Sequence, residues 1–426
     1  MTSSYHLEDR GKCNKNACAN ARNVPKLRFK GYNYEWKHYR LKDITTRITR
    51  KNKKLESDRP LTISAIDGLI DQKDYFNRQI ASKDMSGYYL LKNGEFAYNK
   101  SYSNGFPYGS IKRLNKYDKG ALSTLYICFS LQNICSDFLE KYFETDKWYK
   151  EIYMIAVEGA RNHGLLNISV EDFFNTMHKF PNIEEQEKIA SFLTLIDKKI
   201  KKQKELVELL KKYKRGLLSA IFSQKMRFKD DNGNNYPAWE EKSLGEVTGN
   251  ISYGLNAASK DYDGENKYIR ITDIDETTGK FNNLYIVSPD CVLSDDYKLK
   301  INDLLFARTG ASTGKTYLYN ENDGKMYFAG FLIKFSIKNE YCSNFIFYIT
   351  QTFNYKKWVS IMSARSGQPG INAKEYSNYK FSCPVYDEQV KISNIISKLD
   401  NIIEKENILL DSYNDYKKGL LQKLFI

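Results

Sequence analysis

Two pairs of polar loops carry the side chains best suited to hydrogen bonding with nucleic-acid bases and phosphates. Arginine, lysine, asparagine, glutamine and serine supply the donors and acceptors that such contacts need. In the first half of the chain the candidates are Asn99, Lys100, Tyr102, Asn104, Tyr108, Arg161, Asn162 and His163. In the second half they are Arg308, Thr309, Ser312, Thr313, Lys315, Arg365, Ser366 and Gln368. For each single residue, a solvated loop or a turn is an equally open alternative.

The charge of the chain favours the same class of partner. The 426 residues carry a formal net charge of +14, and 33 tyrosines and 23 phenylalanines are interleaved with basic and amide residues. A basic chain attracts polyanions, and aromatic side chains stack on bases as well as packing in cores. A nucleic acid is therefore the expected partner; the alternative is that the lysine-rich faces are merely solvated.

No catalytic motif accompanies these loops. The sequence ARTGASTGKT at 307–316 is similar to a phosphate-binding loop, but Gly310 and Gly314 are one residue too close. A strand pattern follows it where that loop needs a helix. The four histidines have no evident serine or cysteine partner in a nucleophile motif. Binding, rather than catalysis, is the chemistry that these residues favour.

The cysteines and the apolar runs bear on the compartment. Seven cysteines, an odd and scattered set, argue against a disulfide framework and show no zinc-ligand spacing. No apolar run is long enough to span a membrane, and the N-terminus does not have the pattern of a secretory signal. A cytoplasmic protein without a membrane partner and without a bound metal is expected.

The elements that must position the loops occur twice. The segment that begins at Pro181 returns at Pro384, and the two copies align without a gap at an offset of 203 residues. The entry to each half is also repeated, because Arg28 and Trp36 correspond to Arg227 and Trp239. Such self-similarity indicates repeated structural units, and two copies indicate a pseudo-twofold frame.

The repeated segments predict long helices with an apolar seam of alternating three- and four-residue spacing. This spacing is typical of a coiled coil, and polar Gln203 and Glu406 at seam positions would help to set its register. An ordinary amphipathic helix on a globular core is the alternative. The apolar seam residues are Ile189, Leu193, Ile196, Ile200, Val207, Leu210, Ile392, Ile396, Leu399, Ile403 and Leu410.

The repeated motifs resemble those of a known family. Each long helix has Pro, then Glu-Gln, then Asp, then Tyr-Lys-x-Gly-Leu-Leu, and Phe-Ala-Arg-Thr-Gly occupies 306–310. With the Leu-Arg-Phe and Trp entries, the chain from 25 to 426 resembles the specificity subunit of type I restriction–modification enzymes. The resemblance implies two target recognition domains, each reading one part of a split, asymmetric double-stranded DNA target. It also implies an antiparallel coiled coil between them.

The resemblance implies partners that supply the catalysis. The chain itself is expected to be non-catalytic and to hold no cofactor. Two modification subunits would bind S-adenosylmethionine and methylate adenine, and restriction subunits would use ATP and Mg²⁺ to translocate and cut DNA. Two alternatives remain, namely an autonomous restriction–modification enzyme with fused recognition domains and a coiled-coil scaffold that binds no DNA.

The expected fold is α+β, with two similar mixed α/β recognition domains and two long helices. A helix of about 38 residues spans about 57 Å, more than one turn of DNA, so the helices are predicted to set the spacing of a split target. Inserting one heptad into either helix should change that spacing. The predicted segments are a flexible extension at 1–24, recognition domains at 25–180 and 224–383, and coiled-coil helices at 181–223 and 384–426.

Overall fold

The chain forms two compact units. A computed structural model describes residues 7–9, 23–76, 82, 84–156, 166–364 and 369–426, with the backbone alone for 7–9. The first unit comprises Met1–Gln203 together with Leu409–Ile426, and the second comprises Lys204–Ile408. Each unit therefore combines its own mixed α/β region with parts of two long helices. This division differs from a simple cut of the chain into halves.

The first unit is built on an antiparallel four-stranded sheet in the order β4-β11-β8-β9. Its strands are β1 Leu7–Asp9, β2 Leu27–Phe29, β3 Lys37–Arg40, β4 Thr45–Arg47, β5 Leu61–Ser64, β6 Gly68–Asp71, β7 Tyr89–Lys92, β8 Phe96–Asn99, β9 Ser110–Arg113, β10 Lys119–Leu122, β11 Ile127–Leu131 and β12 Met177–Phe180. Its short helices are α1 Leu41–Ile44, α2 Gln72–Phe76, α3 Ser136–Phe143, α4 Tyr149–Ile155 and α5 Val170–Asn175. The first long helix is α6, Ile183–Phe222.

The second unit has a four-stranded antiparallel sheet of the same kind, in the order β14-β21-β18-β19. Its strands are β13 Glu240–Ser243, β14 Thr248–Tyr253, β15 Ser259–Asp261, β16 Lys267–Ile269, β17 Val287–Pro289, β18 Asp303–Ala307, β19 Thr316–Leu318, β20 Met326–Phe328, β21 Leu332–Ile337 and β22 Lys380–Cys383. Its helices are α7 Ser343–Ile349, α8 Phe353–Ser363, α9 Ala373–Ser377 and the second long helix α10, Tyr386–Leu424.

The central strand of each sheet is buried on both faces. Along β8, Phe96 and Tyr98 belong to one core cluster and Ala97 to another. Along β18, Leu304 and Phe306 likewise face one cluster, while Leu305 and Ala307 face another. Because successive side chains of a strand point to opposite faces, a strand of continuous apolar residues fits between two layers. The loops that leave these strands therefore start from a rigid base.

The frame around the sheets repeats residue by residue. Strand β3 pairs with β12 so that Lys37 lies opposite Phe180, and β13 pairs with β22 so that Glu240 lies opposite Cys383. These positions correspond at the offset of 203 seen in the sequence. The duplication therefore extends from the long helices into the sheet pairing of each unit.

The long helices pack antiparallel within each unit. In the first unit, Ile189 and Leu193 of α6 share a core cluster with Leu420 and Leu424 of α10. In the second unit the roles are exchanged, and Leu217, Leu218 and Ile221 of α6 pack with Ile392, Ile396, Leu399 and Ile403 of α10. The coiled-coil architecture expected from the seam is the one that each unit contains.

The seam residues are not equally buried. Ile189, Leu193, Val207, Ile392, Ile396, Leu399 and Ile403 are buried. Ile196, Ile200, Leu210 and Leu410 are half-buried. Helix residues outside the predicted seam, among them Phe192 and Ile221, also lie in the cores because each helix packs on its α/β region as well as on the other helix.

The repeated Glu-Gln pair has a structural role in joining the helix to its α/β region. The carboxylate of Glu185 accepts two hydrogen bonds from Arg28, each 2.7 Å. Gln186 accepts a hydrogen bond from the backbone N–H of Cys135 and donates one to the carbonyl of Pro181. Both side chains are buried. The second unit repeats these contacts with Glu388, Arg227, Gln389, Cys342 and Pro384.

The predicted N-terminal extension is described only in part. Residues Leu7–Asp9 form strand β1, which pairs antiparallel with Leu27–Phe29. A short strand needs only an open edge that supplies backbone hydrogen bonds, even in a polar segment. The rest of 1–22 lies outside the described residues, so the flexible extension at 1–24 stays a prediction.

Candidate nucleic-acid interface

The polar loop of the first unit follows strand β8. Asn99 accepts a hydrogen bond from the backbone of Ser101, and Lys100 donates one to the carbonyl of Ile168 at 3.1 Å. Tyr102 and Asn104 are exposed. Tyr108 packs edge-on against Tyr149, with ring centroids 5.2 Å apart. Tyr102 and Asn104 thus face solvent, whereas Lys100 and Tyr108 take part in the packing of the loop.

The second candidate segment of the first unit falls outside the described residues. Arg161, Asn162 and His163 belong to it, and the description resumes at Leu166. The backbone N–H of Leu166 donates to the carbonyl of Lys100 at 3.0 Å. The described chain at Leu166 therefore contacts the start of the loop.

The 308–315 loop of the second unit contacts the described chain at 369–371. The N–H of Gly310 donates to the carbonyl of Pro369, and the N–H of Ile371 donates to the carbonyl of Arg308. Arg365, Ser366 and Gln368 are outside the described residues. The contact shown is therefore the one between the 308–315 loop and the chain from Pro369 onward.

Most polar side chains of the 308–315 loop are half-buried and help to hold the loop itself. The hydroxyl of Thr313 donates to the carbonyl of Gly310 at 2.7 Å. The ammonium of Lys315 lies 3.8 Å from a carboxylate oxygen of Glu276. Thr309 pairs through its backbone with Gly370, and Ser312 ends a short 3-10 turn. The chain then enters strand β19, so the loop lacks the helix of a nucleotide-binding loop, as its sequence predicted.

Arg308 is held differently from its neighbours. Its Nε donates to the carbonyl of Gly330 at 3.1 Å, and its guanidinium carbon lies 5.1 Å from the centre of the Tyr253 ring. Among the residues that the structure describes, neither terminal nitrogen has a hydrogen-bond partner and no carboxylate pairs with the side chain. The stem is thus fixed while the two-nitrogen edge of the guanidinium stays available.

Arg308 lies in a cleft of about 730 Å³ in the second unit. The lining includes residues that the sequence analysis missed, above all Tyr253, Arg270 and Phe331. Arg270 is bound by both carboxylate oxygens of Asp273, each at 2.9 Å, and these hydrogen bonds raise its pKa. The available cationic edge of the cleft therefore comes from Arg308.

The floor of the cleft depends on close contact between two backbone segments. Gly254 lies against the turn at 329–331, and a Cβ at this position would be 2.3 Å from the carbonyl oxygen of Ala329. The N–H of Gly330 donates to the carbonyl of Leu255 at 2.7 Å. Glycines that precede an aromatic or follow one, as in Tyr253-Gly254 and Gly330-Phe331, were the available sequence signal for this site.

Two classes of site are not found in the described part of the chain. No cluster of three or more His, Cys, Asp or Glu side chains has a geometry that would hold a metal ion among those residues. None of the described helices has the length and apolar character that crossing a bilayer requires.

Comparison with known proteins agrees with the repeated frame. Residues 236–411 match the model of the type I restriction modification DNA specificity domain. The putative type I restriction enzyme MjaX specificity subunit of Methanocaldococcus jannaschii is 28% identical over 198 residues, which are 44% of this chain and 45% of that protein. The StySPI specificity subunit of Salmonella potsdam is 22% identical over 297 residues, which are 67% of this chain and 64% of that protein.

These matches span less than two thirds of the length of either relative. A solved structure covers more of the chain. The S subunit of the type I restriction–modification system from M. genitalium is similar with a TM-score of 0.57 at 16% identity, over 95% of this chain and 99% of that one. The whole described architecture is therefore a known fold, although the sequences have diverged widely.

Proposed function

Because the chain belongs to the family of type I restriction–modification specificity subunits, we propose that it is the DNA-recognition subunit of such a system. Each unit reads one part of a split, asymmetric DNA target. The long helices hold the two readers in one frame and dock two modification subunits. The chain contributes recognition and no catalysis.

One observation carries this proposal, namely that a repeated frame supports two different loop surfaces. The Arg–Glu and Gln–backbone contacts recur at equivalent positions in both units. At the exit of the central strand, however, the first unit has Lys100 tied to the carbonyl of Ile168, and the second has Arg308 facing an open cleft. Two domains that read unequal half-sites need the same supporting contacts but different residues at the surface that meets the bases.

The partners follow from the resemblance to type I specificity subunits, and the basic character of the chain supports the DNA among them. A net charge of +14 suits a DNA-binding subunit, whose affinity depends on phosphate contacts. Modification subunits would bring S-adenosylmethionine for adenine methylation, and restriction subunits would bring ATP and Mg²⁺ for translocation and cleavage. A cytoplasmic location follows from this role.

Methylation mapping tests the proposal. The chain is co-expressed with a modification subunit from the same host, and methylated adenines are mapped by long-read sequencing of host DNA. The expected result is methylation at one two-part sequence with a fixed spacer. Omitting either protein should abolish methylation. Methyl transfer by this chain alone would instead make it an enzyme, and unchanged methylation without it would exclude it as the recognition subunit.

DNA binding provides a second measurement. The purified complex should bind a duplex that contains the mapped sequence far more tightly than a scrambled duplex, and the affinity should fall steeply as salt rises. A complex that assembles normally but binds both duplexes equally would indicate a scaffold rather than a reader.

A further inference from the structure

We propose that the cleft of the second unit reads a guanine, and that Arg308 is the residue that recognises it. This inference rests on the proposed function, since it names the base that one of the two readers contacts. Three features of the cleft support it, namely the orientation of Arg308, its unpaired charge and the aromatic side chains of Tyr253 and Phe331 nearby.

The orientation of Arg308 is set before any ligand arrives. The hydrogen bond from Nε to the carbonyl of Gly330 and the Tyr253 ring beneath the guanidinium hold the side chain from two directions. A held arginine loses less rotamer entropy on binding than a free one. Its remaining Nη edge presents two donors in a fixed plane, which matches an acceptor pair rather than a single oxygen.

The charge of Arg308 contrasts with that of the other arginine in the cleft. Arg270 is bound by both carboxylate oxygens of Asp273. Arg308 has no carboxylate partner among the described residues, although it is half-buried. Its unused donors are free to bind the acceptors of a ligand. The cleft therefore offers a cationic edge to an electron-rich group that enters it.

Guanine fits this requirement better than a phosphate does. In the major groove, its O6 and N7 form the acceptor pair that arginine contacts with two parallel hydrogen bonds. The same fork also binds phosphates, but a phosphate offers no flat apolar surface beside its acceptors. Arg308 instead lies in a cleft lined by Tyr253, Leu255 and Phe331, where a base edge has an apolar surface to pack against.

Phe331 supplies that surface from a rigid turn. Its side chain is 56% exposed, so the ring is open to a ligand in the cleft. Its carbonyl accepts the N–H of Arg308 at 3.0 Å, and the adjacent Gly330 donates to Leu255. The aromatic ring and the guanidinium are therefore carried by the same hydrogen-bonded turn, so that they approach a base together.

The experiment uses the complex of the full chain with its modification subunit and the duplex identified by methylation mapping. Each G·C pair of the two half-sites is replaced in turn by A·T, and affinities are measured for the wild-type and Arg308→Ala complexes. In the wild type, one such replacement should weaken binding by about tenfold or more. With Arg308→Ala, that same replacement should have almost no further effect, while the other half-site keeps its full discrimination.

Arg308→Lys separates geometry from charge. Lysine retains the positive charge but lacks the planar fork, so affinity for all duplexes should persist while discrimination at the one G·C pair falls. A uniform loss of affinity on every duplex, in either variant, would assign Arg308 to a phosphate and overturn the proposal. Unchanged discrimination at every G·C pair in the Arg308→Ala complex would overturn it as well.

The outcomes also separate this proposal from the proposed function. If no wild-type complex recognises a two-part sequence, the function itself is wrong. If a two-part target is recognised but none of its G·C pairs is coupled to Arg308, only the guanine assignment fails. Thermal unfolding of each variant complex checks that folding is intact, and Arg308→Lys provides a readable result if Arg308→Ala does not fold.

Discussion

The ammonium of Lys417 lies 2.6 Å from a carboxylate oxygen of Asp197, which joins the last turns of α10 to the first half of α6. The same pair recurs in the second unit as Lys214 and Asp400, also at 2.6 Å. Each pair connects the two long helices within one unit. The repeated Asp and Tyr-Lys motifs of the sequence are therefore explained by one ion pair that is used twice.

These two pairs should differ in strength because their surroundings differ. Asp197 also binds Lys141. Burial raises the pKa of Asp197, but the hydrogen bonds from Lys141 and Lys417 together lower it by more, so that this pKa lies below its usual range. Asp400 has a hydroxyl, that of Tyr348, as its additional partner. Lys214→Met should therefore destabilise the second unit more than Lys417→Met destabilises the first, by about 1–3 kcal/mol against about 1 kcal/mol. Urea unfolding, followed by hydrogen exchange separately in each unit, measures the loss of unfolding free energy in both variants. Equal losses would contradict this ranking.

The buried Arg28–Glu185 pair makes a second prediction. Its side chains are only 5% and 2% exposed, so Arg28→Met leaves a carboxylate buried without its cation. Such a change costs about 3–5 kcal/mol. The matched variant is Arg227→Met. It should cost less, because Arg227 is 28% exposed and Glu388 keeps the hydrogen bond from Trp239 Nε1. Hydrogen exchange in each unit provides the comparison, and a larger loss for Arg227→Met would refute the explanation.

The frame was more predictable from the sequence than the candidate site was. The long helices and their apolar seam follow from a seven-residue periodicity and from repeated prolines, which are local signals. The antiparallel pairing was expected only from the family resemblance. The contact between Arg308 and Tyr253 is not local. It depends on β14 and β18 both pairing with β21, a register that one sequence does not reveal. Arg308 was predicted because its loop is rich in residues that suit bases and phosphates, whereas the sequence analysis had no reason to single out Tyr253 and Phe331.

The local pattern is an incomplete guide to the short strands for a related reason. The run at 326–337 is rich in apolar residues throughout, as one strand would be, but β20 ends at Phe328 and β21 begins at Leu332. The turn between them is stabilised by hydrogen bonds to Leu255 and Arg308, which are distant in sequence. Tertiary contacts of this kind override the local pattern. The assignment of single residues to DNA contacts remains a prediction.

His178 makes the stability of the first unit depend on pH. It is buried, Tyr142 OH lies 2.8 Å from Nδ1, and Thr176 Oγ1 lies 2.8 Å from Nε2. Burial lowers its pKa from 6.5 to about 4, so the folded state favours the neutral ring. The unfolded chain binds a proton below about pH 6.5, and the stabilisation present above that pH is lost as the pH falls towards 4. The loss should reach about 3 kcal/mol.

Phe381, the counterpart of His178 at the offset of 203, indicates the variant that tests this dependence. His178→Phe with Tyr142→Phe removes the titrating ring without leaving the Tyr142 hydroxyl unpaired. Urea unfolding at several pH values should show a flatter profile between pH 4 and 6.5 in the double variant than in the wild type. An unchanged slope would mean that other groups dominate acid sensitivity in this range.

Gly254 should be required for recognition by the second unit although it offers no side chain to DNA. A Cβ at this position would lie 2.3 Å from the carbonyl oxygen of Ala329 and 2.5 Å from that of Phe328, so Gly254→Ala must displace the turn that carries Phe331. Because Arg308 bonds to the same turn, its guanidinium would lose its orientation as well. The expected result is a loss of about tenfold or more in affinity for the mapped duplex. Discrimination by the other half-site should be unaffected.

Gly249→Ala is the matched control for Gly254→Ala, because Gly249 lies on β14, the strand that leads to Gly254, and a Cβ there would make only ordinary contacts, the nearest at 3.6 Å. It should bind the duplex as the wild type does. If both variants recognised DNA normally, the turn at 329–331 would not position the reader. If both failed equally, the effect would arise from the strand as a whole rather than from the contact between Gly254 and Ala329.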